Sequence, residues 1–133
     1  MGRRLILDTN VLIAYERNTL DRNSLDNDEL AVAAVTIAEY RVGIELADTV
    51  ARAADRARAL AAIIANIEVL EYTETTAVHH ARLIAQVRRA GTPRGAHDLI
   101  IAAHSSETGR IIVSRDAAAR FGDLPNVLAT QPD

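Results

Sequence analysis

The chain has 133 residues, is 49% hydrophobic and carries a formal net charge of −3 at pH 7. That length suits one core and one domain spanning residues 1–133, and the hydrophobic content excludes a disordered chain. The absence of cysteine excludes disulfides, thiolate metal sites and a cysteine nucleophile, and the net negative charge excludes a nucleic-acid binder that works through a global basic field.

In chain order, "RRLILD" (residues 3–8) reads as a short strand and "TNVLIAYER" (9–17) as the helix that follows it. Residues 18–29, rich in Asn, Asp and Ser, read as a loop. "LAVAAV" (30–35) is a second apolar strand, and "TIAEYRVGIELAD" (36–48) has helical periodicity. A further helix covers about residues 50–66, with Val50, Ala54, Ala57, Ala61 and Ile64 on one face and Arg52, Asp55 and Arg56 on the other. "IEVLEY" (67–72) is a strand, residues 75–90 form a helix, and "GTPRG" breaks it. "AHDLIIAAHSSET" (96–108) is a helix, "GRIIVS" (109–114) a strand, "RDAAARFG" (115–122) a short helix and "NVLA" (126–129) an edge strand. Strands alternating with helices imply an α/β protein, a parallel sheet of about five short strands covered on both faces. Such sheets bind ligands at the carboxyl ends of their strands.

Asp8 poses the first chemical question. An apolar strand runs straight into its carboxylate, and a buried, unpaired carboxylate is costly. Asp8 suits the N-cap of the helix starting at Thr9 or Asn10. Glu39 suits a capping box with Thr36 in "TIAE". Asp98 sits in a first helical turn, where an anion suits the macrodipole, and Asp116 suits a cap of "AAARF". Together the four acids carry a second meaning. All lie at strand ends or at the starts of the helices that follow, and in a parallel sheet those points share one edge. Four converging carboxylates are most simply reconciled by a hard cation with oxygen ligands, Mg²⁺ or Mn²⁺. Asn10 and Ser114 would then orient the ligands.

The ordered stretches "LILDTNVLI", "TIAEYRVGI", "RGAHDLIIAAH" and "IIVSRDAAARFGDLPNV" resemble the PIN-domain nucleases, and within them the VapC-type toxins of toxin–antitoxin pairs. Tyr40 stands where the family prefers an aliphatic residue, and Ser114 where threonine is commoner. The resemblance implies a three-layer α/β/α fold and metal-dependent cleavage of RNA phosphodiesters, structured RNA such as tRNA or rRNA among them. It implies Asp8, Glu39, Asp98 and Asp116 as catalytic metal ligands, with Asp116 the most variable position. Arg94 and Arg115 flank the expected crevice as candidate phosphate contacts. It also implies a homodimer and a small antitoxin whose arginine can enter the acidic site.

Other classes fit less well. Haloacid-dehalogenase phosphatases and response-regulator receivers also place an Asp after a first strand, but both rely on a lysine, and this chain has none. Neither a P-loop nor a dinucleotide fingerprint is present. "DRNSLDNDE" lacks the glycine of a calcium loop. His79, His80, His97 and His104 form no HExxH pattern and read as structural or surface residues. No apolar run approaches the ~20 residues of a membrane span, and "MGRRLILDTN" lacks a signal-peptide core, so a cytoplasmic protein is expected. The competing function is a PIN-fold RNA-binding or protein-interaction module with weak catalysis.

Overall fold

The computed structural model describes residues 2–132. Strand β1 (Arg4–Leu7) lies at the centre of a five-stranded sheet, with β2 (Glu29–Ala33) and β3 (Glu68–Leu70) on one side and β4 (Ile111–Val113) and β5 (Leu128–Thr130) on the other. Every pairing is parallel. Five α-helices are described: α1 (Thr9–Glu16), α2 (Ala34–Glu45), α3 (Val50–Ile64), α4 (Glu74–Ala90) and α5 (Ala96–Thr108).

The side-chain alternation of the strands builds two cores. Ile6, Ala31, Ala33 and Ile112 pack with Leu83 and Val87 of α4 and Leu99 and Ile101 of α5. Leu5, Leu7, Val32 and Val113 point the other way, against Val11 and Leu12 of α1, Tyr40 and Ile44 of α2, and Leu60 of α3. Leu5, Ile6 and Leu7 are fully buried, as a central strand covered on both faces requires. The result is the expected three-layer α/β/α arrangement. Gly91 (φ 66°) and Gly109 (φ 73°) end α4 and α5 in the left-handed conformation that glycine adopts without a Cβ penalty.

Several boundaries differ from expectation. Helix α2 starts at Ala34, capped by Ala33 with no side-chain hydrogen bond. Thr36 therefore lies inside the helix, fully buried, with its hydroxyl unpaired, and the expected capping box with Glu39 does not form. The physical reason is that β2 runs into α2 with no intervening loop, so the turn begins before the Thr. On α3 the inward face is Ala53, Ala57, Leu60 and Ile64, rotated from the expected one; Val50 is 88% exposed. The loop at 18–29 holds a 3₁₀ turn at Arg22–Leu25, and the expected helix at 115–122 is replaced by two 3₁₀ turns, Ala117–Ala119 and Phe121–Asp123. Arg120 between those turns has φ 47°, which stops a continuous helix.

Candidate active site

The strand order reverses direction at β1, and the carboxyl ends of β1 and β4 open the crevice there. Asp8 follows β1 directly. Its backbone N–H extends the sheet by donating to the Val113 carbonyl at 3.0 Å, and its own carbonyl accepts from Val11 and Leu12 to start α1. The carboxylate is only 5% exposed, so it must be satisfied locally. One oxygen accepts from the Thr9 N–H at 2.8 Å, and the other accepts from the Ser114 hydroxyl at 2.7 Å and the Asn10 amide at 3.4 Å. Asp8 is therefore an N-cap, and also the centre of a polar cluster that joins two strand ends.

Ser114 and Asn10 extend that cluster to the loop after β4. The Ser114 Oγ accepts from the Asp116 N–H at 3.0 Å, and Asn10 Oδ1 accepts from the Arg115 N–H at 3.0 Å. Asp116 is exposed and caps the first 3₁₀ turn through a 3.0 Å bond from the Ala118 N–H. Asp98 stands in the first turn of α5, whose N-cap Gly95 offers no side chain. A Cβ at Gly95 would sit 3.3 Å from Asp98 Oδ2, so glycine keeps room beside that carboxylate.

Glu39 lies in the second turn of α2. Its Oε1 is buried without a hydrogen bond, although His97 Nδ1 approaches it to 3.2 Å as an ion-pair contact. His97, expected as a structural or surface residue, is exposed on α5 and in addition approaches a site acid. Its adjacency to Asp98 in the first turn of one helix is the signal in the sequence that points there.

The electrostatics of Asp98 reveal the convergence. Burial raises its carboxyl above the ordinary aspartate value, the charges of Asp8, Asp116 and Glu39 raise it further, and His97 opposes them. The other three sequence-predicted acids thus lie close enough for their charges to act on Asp98. As placed, no three acidic or histidine side chains among the described residues are gathered closely enough to hold a metal ion. Their charges reach Asp98, but the side chains do not close into a cage. The donor set nonetheless fits a hard cation: it is all oxygen, it includes the unpaired Glu39 Oε1, and a cation would relieve the crowding at Asp98.

The two arginines are partly engaged. Arg94 donates from one nitrogen to the carbonyls of Ala119 (2.8 Å) and Arg120 (2.9 Å), tying the start of α5 to the 3₁₀ turns. Arg115 donates to the Thr19 carbonyl at 3.3 Å and is otherwise exposed. The other histidines have local partners. His79 meets Ser106 and His80 meets Tyr72, each at 2.8 Å, while His104 is buried with its Nδ1 3.8 Å from Glu107.

Comparison with known proteins agrees with this geometry. The PIN domain family model matches residues 5–124. The tRNA(fMet)-specific endonuclease VapC of Salmonella typhimurium is 29% identical over 131 residues, 93% of this chain and 94% of that protein. Ribonuclease VapC5 of Mycobacterium tuberculosis is 32% identical over 111 residues, 84% and 82% of the two chains. Among solved structures, VapBC2 of Rickettsia felis bound to a promoter DNA fragment superposes with a TM-score of 0.86 at 19% identity, over 98% of this chain and 99% of that one. VapBC-5 of Mycobacterium tuberculosis, a member of the VapBC family of toxin–antitoxin systems, superposes with a TM-score of 0.74 at 28% identity, over 98% of each chain.

Proposed function

The chain belongs to the PIN domain family and, within it, to the VapC ribonucleases, and from that premise we propose that it is a toxin that cuts RNA endonucleolytically with a divalent metal. The observation that supports the proposal is that the charges of Asp8, Asp116 and Glu39 all act on Asp98. Asp8 and Asp98 would hold Mg²⁺, or Mn²⁺ in its place, with Glu39 and Asp116 completing the acidic set. Such an ion supplies acidification of a water and neutralisation of phosphate charge. The chain's own contribution is positional. Ser114 and Asn10 fix the Asp8 carboxylate, and Ser114 and the cap at Asp116 fix the loop after β4. Arg115 and Arg94 supply positive charge at the rim for the substrate backbone.

The substrate in this reading is structured cellular RNA, tRNA or rRNA, supported by the name of the Salmonella relative. The protein acts in the cytoplasm as a homodimer and is held in check by a small antitoxin, whose arginine an acidic crevice would attract. The toxin–antitoxin assembly of the Mycobacterium neighbour supports the antitoxin. Among the described residues no helix is long and apolar enough to cross a membrane.

Mapping RNA ends in cells after brief induction tests the proposal. Wild type should create new, discrete ends and arrest growth, D8N should do neither, and co-expressed antitoxin should reverse both effects. The same new ends in cells expressing soluble D8N would overturn it.

A further inference from the structure

The acidic crevice raises an electrostatic problem for any polyanionic substrate. Four carboxylates and a net charge of −3 repel phosphate until metal is bound, and no global basic field compensates. An RNA-cutting protein of this composition needs a local foothold for the strand beyond the cut. Two clefts offer no net positive lining. The cleft of about 780 Å³ beneath α3 sets Glu16, Asp26, Asp28, Glu29 and Glu68 against Arg22 alone, and in the 380 Å³ cleft between α1 and α2 Arg17 and Arg56 are offset by Glu16 and Glu39.

A third cleft, of about 350 Å³, differs. It lies between α4 and the start of α5, and its lining includes His80, Ile84, Arg88, Pro93, Arg94 and Leu99, with no carboxylate. Arg88 is exposed in the last turn of α4. Arg94 has two of its hydrogen bonds committed to backbone carbonyls, so it is held in place and contributes charge. The His80 ring is fixed by Tyr72, whose hydroxyl lies 2.8 Å from Nδ1 and whose ring meets it edge to face at 5.6 Å. That leaves Nε2 as the polar edge still free to bind. Ile84, Pro93 and Leu99 add an apolar wall. The cleft adjoins the site acids through one element: the first turn of α5 carries Asp98, and Ala96 and Leu99 of the same turn line the cleft.

We propose that this α4–α5 cleft is a substrate subsite that grips the RNA strand flanking the scissile bond, with Arg88 and Arg94 facing its phosphates and the His80–Leu99 wall receiving a base. Charge complementarity selects the occupant: two guanidiniums and no opposing acid beside a site that acts on a polyanion. This subsite rests on the ribonuclease reading above. Desolvation holds the His80 pKa below its ordinary value, and the two arginines carry the charge.

The test uses the full chain with a fluorescein-labelled single-stranded RNA that wild type has been shown to cut. Binding is measured in EDTA over a salt series, and the variants are R88Q, R88E and R88K. R88Q should weaken binding and reduce the slope of log Kd against log salt by ~0.7, the loss of about one phosphate contact on single strands. R88E should weaken it by about tenfold or more, and R88K should keep most of the slope. Unchanged Kd and slope in R88E, while wild type still cuts this RNA, would overturn the subsite and leave the ribonuclease reading intact. Loss of a dimer in R88E on sedimentation, with Kd and slope per protomer unchanged, would also overturn it, because the cleft would then be a seam between two copies. Failure of wild type to cut any RNA would instead remove the reading on which the subsite depends.

Discussion

Asp8 does two jobs whose demands coincide. Its extended backbone and carbonyl begin α1, and its carboxylate is held by a buried serine from the neighbouring strand. A hydrogen bond to a charged group contributes about 1.5–3 kcal/mol, so Ser114→Ala should lower stability by about that much, whereas Ser114→Thr keeps the hydroxyl and should cost far less. Urea unfolding of the three proteins checks this. Asp98 works in the opposite direction. Its carboxyl titrates above the ordinary value of 3.8, so in the folded state it binds a proton more tightly than in the unfolded chain. Ionised Asp98 therefore destabilises the metal-free protein at neutral pH, and the cost fades as pH falls through its raised pKa and is gone below its unfolded value. Asp98→Asn should raise the melting temperature in EDTA at pH 7, and the advantage should vanish in acid. A lower melting temperature for the Asn variant at pH 7 would mean that Asp98 is wanted for its charge on the helix dipole.

At the scale of elements, α2 separates what was legible in the sequence from what was not. The apolar runs at 3–8 and 109–114 identified central strands because a strand buried on both faces needs such a run. Asp8 and Asp98 were legible because each stands at the junction of one element with the next. The start of α2 was not legible. "TIAE" has the chemistry of a capping box, but tertiary pairing carries β2 up to Ala33 and leaves no loop for Thr36 to cap. The inward face of α3 differs from expectation for a related reason: with alanine at seven of its fifteen positions, composition defines the stripe only weakly, and packing of Leu60 sets it. The His97–Glu39 approach joins α5 to α2, and the sequence marks only one side of it, through the adjacency of His97 to Asp98. The corrected helix start changes one expectation. With no capping box, Glu39→Gln and Glu39→Ala should both leave metal-free stability within about 0.5 kcal/mol, and both should lose most RNA cleavage. A melt in EDTA and a single-turnover cleavage assay on the same preparations separate the two effects. A loss of 1 kcal/mol or more confined to the Ala variant would restore a structural role for the carboxylate's reach.

For the whole molecule, topology does most of the work. A parallel sheet ordered β3-β2-β1-β4-β5 brings together acids separated by up to 108 positions in the chain, Asp8 and Asp116, and no single stretch of sequence shows that meeting. Two cores, one on each face of the sheet, fix the strands whose carboxyl ends carry Asp8 and Ser114. The central claim is that these carboxylates exist to bind a metal that cuts RNA. The most direct measurement is single-turnover cleavage of one structured RNA by the purified wild-type chain, with Mn²⁺ or with excess EDTA, on the same preparation. The account predicts cleavage with Mn²⁺ and essentially none in EDTA, restored when metal is added back. Equal cleavage in EDTA would contradict it.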